Sequence, residues 1–180
     1  MAQPKSFAPV KLVCGVIFGD EPLYDRARSL LIEAHGPPDL ESPPFDFDLT
    51  DYYEKELGAG LNRRFMSFAR LMGPERLAGI KIETNALEDR IRIETGKGRR
   101  AVNIDPGYLT AAALIMATAK DFSHRIPLAS GIYAHLELLF TKTDARVLEW
   151  TYPDFRREGS RRFFLDVRRV YLAQLKGLPA

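Results

Sequence analysis

Segment 99–125 constrains the fold of this 180-residue chain more than any other stretch. Its pattern predicts a short strand over 101–104, a tight turn at Asp105-Pro106, an apolar helix from 106 through 120, and a basic exit at His124-Arg125. In this interpretation Asp105 caps the helix and Pro106 occupies its first turn. A strand that leads into a helix in this way exposes backbone N–H groups at the helix N-terminus, which suits an anionic ligand.

Hydrophobic periodicity predicts further strands and helices on both sides of this segment. The predicted strands are 11–18, 45–49, 77–83, 126–129 and 132–140, the last returning as a hairpin over 146–152. The first predicted helix begins after Asp20 and ends at His35, and the second follows a Thr50 or Asp51 cap and ends at Leu57-Gly58. Three further predicted helices cover 61–72, 85–92 and 161–176. Segment 36–44 is predicted to be a proline-rich loop. For 77–93 the spacing also fits one long strand or a hairpin.

The predicted fold class is therefore α+β: a single domain over 1–180, with a mixed, mostly antiparallel sheet covered by helices. The apolar share of 46% and charged share of 28% are those of a globular domain. A net charge of +2, with acids and bases interspersed, argues against a dedicated nucleic-acid binder. The longest apolar run is about half of what a bilayer requires. We therefore expect no membrane partner and a cytoplasmic location.

The single cysteine, Cys14, excludes an internal disulfide and fits a reducing compartment. It lies within an apolar run rich in β-branched residues, so we expect a buried and unreactive thiol.

Polar residues at the predicted strand-to-helix transitions are the candidates for a functional site, since strand ends that point the same way converge on one concavity. Asp105 and His124 are the catalytic candidates, because burial and neighbours can tune either pKa toward neutrality. The ligand-binding candidates are Lys81, Asn85, Asn103, Tyr108, Lys120, Arg125 and Tyr152. We expect Asn103, Asp105, His124 and Arg125 to surround one depression, with Lys81 or Tyr152 on its wall.

Structural roles compete with these functional ones. Asp105 and Asn103 can simply stabilise a cap and a turn, and Lys120 can complement a helix dipole. His135, flanked by Tyr133 and Glu137 on one strand face, is expected on a solvated face. The sequence has no phosphate loop, dinucleotide-binding loop or paired zinc-ligand spacing. No metal is predicted, and no cofactor is identified.

Several phrases resemble the uncharacterised domain-of-unknown-function family 4416, over essentially the whole chain. The segments that carry the resemblance are 50–56, Lys81 with Thr84-Asn85 and Glu88, 103–109, 124–126 with 131–133, and 150–154. The most specific are Asn-x-Asp-Pro-Gly-Tyr and Trp-Thr-Tyr-Pro-Asp. The chain departs from the family pattern at Pro127 and Phe155, where tyrosines are expected, which argues against obligatory chemistry there. The resemblance implies no catalytic residues; some members carry the label GTP-binding protein.

Three functional hypotheses remain open, as does the question of whether the chain is an enzyme. The first is a domain that binds or processes a small anionic metabolite, phosphorylated and nucleotide-type molecules included. The second is a protein-interaction module that uses an aromatic and basic edge, formed by Tyr52, Tyr53, Trp150, Tyr152 and Arg156. The third is RNA binding through exposed aromatic and basic residues on a sheet. The oligomeric state is not predicted.

Overall fold

The computed structural model describes residues 3–48, 53–96 and 98–178. The strands are β1 Val10–Phe18, β2 Pro38–Glu41, β3 Phe45–Asp46, β4 Asn62–Met72, β5 Val102–Leu109, β6 Ala113–Thr118, β7 Ile126–Ala129, β8 Ile132–Phe140 and β9 Ala145–Val147. The helices are α1 Glu21–His35, α2 Glu54–Leu57, α3 Leu77–Thr95, α4 Pro153–Arg156 and α5 Glu158–Lys176.

The described strands form one nine-stranded sheet in the order β2-β4-β1-β5-β6-β8-β7, with β3 beside β4 and β9 beside β8. The paired strands run antiparallel. Together with the covering helices this confirms the α+β class. Within the described residues, no helix has the length and apolar character needed to cross a membrane.

Helices cover both faces of the sheet, so its central strands are buried on both sides. On one face, Cys14 and Val16 of β1 share a core with Tyr24 of α1 and Ile91 of α3. On the other face, strand residues pack against α5 through Phe164. The continuous apolar character of β1 follows from this position. The predicted burial of Cys14 is confirmed, and burial raises the pKa of its thiol.

The strongest local signals are confirmed. Asp20 caps α1 by accepting a hydrogen bond from the Leu23 N–H at 3.0 Å. The alternating pattern over 132–140 corresponds to β8, and the carboxy-terminal apolar stripe corresponds to α5. Strand β7 also lies where it was expected. The Pro-rich loop contains the short strand β2. The Thr50 and Asp51 cap lies outside the described residues.

The predicted helix over 106–120 is wrong, because the chain continues as β5 to Leu109, turns and returns as β6. The Thr110 side chain stabilises the turn by accepting hydrogen bonds from the N–H groups of Ala112 and Ala113. Asp105 consequently lies inside β5 and does not cap a helix. Gly107 permits this pairing, because a Cβ there would lie 2.5 Å from the Ile115 carbonyl oxygen of β6.

Two other assignments are also wrong. The predicted helix over 61–72 is the strand β4, whose Phe65 and Phe68 enter the cores on opposite faces of the sheet. A strand buried on both faces carries a nearly continuous apolar run, in which helical spacing arises by chance. The predicted strand over 77–83 is wrong, and so is the alternative of one long strand or a hairpin over 77–93, because these residues belong to the single helix α3.

The sheet separates between β5 and β6, and this separation positions the site. The two strands pair only where Gly107–Leu109 meets Leu114–Met116, although both continue beyond these residues. Pro106 precedes the paired region and has no N–H to donate to a neighbouring strand. The space between the diverging strands is called the β5–β6 cleft below.

Candidate functional site

The β5–β6 cleft holds a cavity with a volume of about 780 Å³. Its wall is built from α3, β4, β5, β6, β8 and the residues that lead into and form α4. It is completed by Phe47, Tyr53, Glu56, Arg100, Ala119 and Lys120. Cavities of this size accommodate small-molecule ligands.

Side chains of α3 hydrogen-bond the edge of β5 that β6 leaves open. The Ile104 N–H donates to Oε1 of Glu88 at 2.6 Å, and Nζ of Lys81 donates to the Ile104 carbonyl at 2.8 Å. Lys81 and Glu88 are seven residues apart and therefore lie on one face of the helix. They satisfy the backbone of β5 and at the same time bring two ionisable groups to the wall of the cavity.

A buried arginine lies in the wall between two carboxylates. Nη2 of Arg63 is 3.2 Å from Oδ2 of Asp105, and its Nε is 3.2 Å from Oδ2 of Asp154. The guanidinium is within 5.0–5.8 Å of the ring centroids of Phe47, Phe65 and Phe155. Cation–π contacts and paired charge together offset the cost of burying this cation.

Asp105 is surrounded by hydrogen-bond donors and cations. Its Oδ2 accepts a hydrogen bond from Nδ2 of Asn103 at 2.7 Å, and its Oδ1 lies 3.7 Å from Nζ of Lys81. Burial by itself raises the pKa of Asp105, but the charges of Arg63 and Lys81, the Asn103 hydrogen bond and the charge of Arg100 together hold that pKa below its usual range. Asp105 is therefore a carboxylate at neutral pH.

The pKa of Glu88 is shifted upward, in the opposite direction to that of Asp105, although Glu88 also lies among cations. Its Oε2 is 3.2 Å from Nη1 of Arg100, whose Nη2 is 2.7 Å from Oε2 of Glu56. Burial outweighs the charges of Lys81 and Arg100 and raises the pKa of Glu88 to about 7. The cavity wall thus carries one carboxyl group that stays ionised and one that titrates near neutrality, a combination found in acid–base sites.

His135 also lines the cavity, and its expected solvated position is wrong, because the residues from Trp150 to Tyr152 cover this part of β8. Nε1 of Trp150 donates to the Leu136 carbonyl at 2.8 Å, and the Tyr152 N–H donates to Oε1 of Glu137 at 2.6 Å. Burial lowers the pKa of His135 to about 4 and raises the pKa of Glu137 to about 8.

Six of the nine candidate residues line the cavity. They are Lys81, Asn85, Asn103, Asp105, Lys120 and Tyr152. Tyr108 is not among the lining residues and packs within the core on the α1 and α3 face.

His124 and Arg125 lie directly behind the wall. The His124 ring stacks on Trp150 with a centroid distance of 4.9 Å and lies 4.9 Å from the ring of His135. Arg125 donates to the Tyr152 hydroxyl at 2.8 Å and to the Lys120 carbonyl at 2.7 Å. The expected depression is therefore present around Asn103 and Asp105, while His124 and Arg125 support it from a second layer.

The sequence analysis did not assign four ionisable residues of the wall to the site: Arg63, Asp89, Arg100 and His135. A helical reading of 77–95 would have placed Lys81, Thr84 and Glu88 on one face. The position of Arg63 depended on recognising β4 as a strand.

In the hypothetical interaction edge, Tyr53 contributes to the cavity, whereas Arg156 donates to the backbone carbonyls of residues 148, 149 and 151. Tyr52 lies outside the described residues.

Among the residues that the structure describes, no group of three or more His, Cys, Asp or Glu side chains could hold a metal ion.

The chain belongs to the family described as Domain of unknown function (DUF4416), whose sequence model matches residues 8–171. This confirms the resemblance inferred from the motifs. Searches of curated proteins and of solved structures find no match.

Proposed function

We propose that this chain binds a small anionic metabolite, of a phosphorylated or nucleotide type, in the β5–β6 cleft. The observation that carries the proposal is a cavity of about 780 Å³ whose wall contains buried charged side chains of both signs. Buried charges destabilise a fold unless they are paired, and an apolar replacement often costs less. Ligand recognition provides a reason for a folded chain to retain so many of them.

Arg63 and Lys81 are the groups that we assign to the anion. Within the described part of the chain, Nε and Nη2 of Arg63 lie near carboxylates without forming hydrogen bonds of good geometry. A guanidinium carries five N–H donors and matches the geometry of a phosphate or carboxylate. Lys120 adds a cation toward the exposed end of the cavity.

The remaining polar groups suit the uncharged part of such a molecule. Asn85 and Asn103 offer both donors and acceptors, and Asp105 can accept from a hydroxyl or amino group. The aromatic rings of Tyr53 and Tyr152 in the wall suit a planar ring. The two most specific motifs of the family resemblance both contribute to this wall, through Asn103 with Asp105 and through residues 152–154.

The catalytic roles of Asp105 and His124 stay predictions. An ionised Asp105 held between cations favours an orienting role, and His124 reaches the wall through its contacts with His135 and Trp150. A buried Cys14 and the absence of a second cysteine fit a reducing compartment, and we therefore propose a cytoplasmic location.

A thermal-shift screen tests the proposal, with inorganic phosphate and a panel of phosphorylated metabolites and nucleotides as probes. A ligand at one hundred times its Kd adds about 2.7 kcal/mol to the stability. For a chain of this size that raises Tm by roughly 5–10 °C.

Lys120→Gln is the first variant of the test, with Lys142→Gln as its matched control, since both lysines are exposed and only Lys120 lines the cavity. We expect the Lys120 variant to lose most of the response and the Lys142 variant to keep it. A panel without any stabilising anion would refute the proposal and favour the interaction module. A response that both variants keep would refute a contribution of Lys120 to the anion site, because Arg63 and Lys81 remain in both variants.

A further inference from the structure

We propose that His135 and Glu137 form a proton relay that serves the β5–β6 cleft. In this relay His135 exchanges a proton with the bound molecule through Nδ1, and Glu137 holds a second proton behind it. The inference rests on the proposed function in one respect, since it needs a molecule bound in the cleft. It adds an acid–base activity to binding and assigns that activity to residues other than Asp105 and His124.

The arrangement follows from the strand on which both residues lie. Residues two apart in a strand point to the same face, so β8 places His135 and Glu137 side by side. Nε2 of His135 is 3.1 Å from Oε2 of Glu137. His135 lines the cavity at 1% exposure, while Glu137 lies behind it at 0%. The imidazole thus stands between the carboxyl group and the ligand space.

The remaining polar atoms of the pair show which nitrogen is available to a ligand. Oε1 of Glu137 accepts the Tyr152 N–H, and Oε2 lies beside Nε2 of His135. Both ring nitrogens of His135, and Oε2 of Glu137, are buried and form no hydrogen bond of good geometry among the described residues. Buried polar atoms are nearly always hydrogen-bonded. A molecule in the cavity that His135 lines can provide the partner for Nδ1.

Neighbouring rings fix the orientation of the imidazole. The Tyr152 ring stacks on His135 with a centroid distance of 5.3 Å, and the His124 ring meets it edge-on at 4.9 Å. A carboxyl group that orients an imidazole, whose other nitrogen faces a substrate, is the arrangement that acid–base catalysis requires. Glu137 is then the positioning residue, and His135 is the group that touches the substrate.

The proton balance of the relay is simple, because two acceptor atoms 3.1 Å apart in a buried site need a proton between them. In the loaded state the Glu137 carboxyl O–H donates to Nε2, and Nδ1 carries the second proton. On transfer, the Nδ1–H bond breaks and the ligand takes that proton. The Glu137 proton then moves to Nε2. Glu137 is then a carboxylate that accepts a hydrogen bond from Nε2–H, and Nδ1 carries a lone pair. The reverse transfer returns both protons to their starting positions.

The surroundings place this change near neutral pH. Burial raises the pKa of Glu137 most, with the charges of Asp154 and Asp105 adding to it and the Tyr152 N–H and the charge of Arg63 opposing it. Burial lowers the pKa of His135, and so do the charges of Arg125 and His124. The loaded state, with a protonated carboxyl and a neutral imidazole, is therefore the form at pH 7, and it loses one proton close to pH 8.

Nitrogen-15 NMR of the ring nitrogens tests the relay in the full chain without any ligand. The chain contains three histidines, so single His→Gln variants assign the signals. We expect His135 to change from the Nδ1–H to the Nε2–H tautomer between pH 6 and 9, and to remain neutral throughout. Glu137→Gln should abolish this change, whereas Glu149→Gln, which alters an exposed glutamate after β9, should leave it intact. A tautomer that stays constant, or a change that survives Glu137→Gln, would overturn the relay.

A second titration with saturating inorganic phosphate separates the relay from the proposed function. A bound anion disfavours a second negative charge nearby, so we expect the midpoint of the tautomer change to rise. A Lys120-dependent thermal response without any effect on His135 would refute the relay and leave anion binding standing. A tautomer change in the free protein, with no anion in the panel bound, would support the His135–Glu137 proton chemistry and refute the proposed function.

Discussion

Glu88→Gln is expected to make the chain more stable above neutral pH, and the size of the effect follows from the surroundings of this residue. Its side chain is 6% exposed, and its carboxyl group accepts the Ile104 N–H at the open edge of β5. Burial raises the pKa of Glu88 from 4.5 to about 7. A tenfold change in proton affinity is worth about 1.4 kcal/mol, so the contribution of this group changes by about 3 kcal/mol.

The sign follows from proton binding. Between pH 4.5 and 7 the folded chain keeps the Glu88 proton, whereas the unfolded chain loses it. The stability that this group contributes is therefore fully present below pH 4.5 and is lost as the pH rises through about 7. Glutamine cannot ionise, and its side-chain oxygen can still accept the Ile104 N–H. Arg100 keeps its contact with Glu56 at 2.7 Å in the variant.

Urea unfolding of the parent and the variant, at half-unit steps from pH 4.5 to 8.5, measures this difference. Between pH 4.5 and 8.5 we expect the free energy of unfolding of the variant to rise by about 3 kcal/mol relative to that of the parent, with equal m-values. Glu33→Gln, at an exposed position of α1, is the control and should give a nearly constant difference. Parallel stability curves for Glu88→Gln and the parent would refute the claim that burial dominates at this carboxyl group.

Three further predictions test the structure at other points. Cys14 should resist labelling by a thiol reagent in the native chain at neutral pH and react on unfolding, since it is 0% exposed; rapid native labelling would contradict this. Gly107→Ala should cost about 2 kcal/mol in urea unfolding, because its Cβ would lie 2.5 Å from a backbone oxygen of β6. Gly159→Ala in α5, where the added methyl group contacts nothing, should be neutral or stabilising, and equal effects at the two glycines would argue against close β5–β6 approach. Asp105→Asn should cost about 2–3 kcal/mol at pH 7, because it removes one of two carboxylates beside buried Arg63, and an unchanged unfolding midpoint would show that Asp154 alone suffices.

The site explains why one prediction from periodicity failed. The buried face of α3 contains Lys81, Thr84 and Glu88 among its apolar residues. These polar side chains interrupt the apolar stripe by which a helix is normally recognised. Sequences depart from the usual pattern of a helix or strand most often at functional sites. In α3, the face whose polar residues interrupt the apolar stripe is also the face that lines the cleft.

The sequence by itself determined the elements whose signals are local. The Asp20 cap, the β-branched run of β1, the alternation of β8 and the apolar stripe of α5 depend on nearest neighbours along the chain. Polar residues at the predicted strand-to-helix transitions likewise indicated six residues that line the cavity. Caps and periodicity are properties of short segments, so a single sequence is enough to identify them.

Only the tertiary structure decided which segments join the sheet and where that sheet opens. An apolar run rich in alanine, such as β6, forms a strand because β5 and β8 provide hydrogen-bond partners on its two sides. The cleft exists because β5 and β6 pair over three residues and then diverge. The pKa values of Glu88 and Glu137 depend on burial by residues distant in the chain. Strand pairing and desolvation arise from contacts between remote segments, which no local pattern encodes.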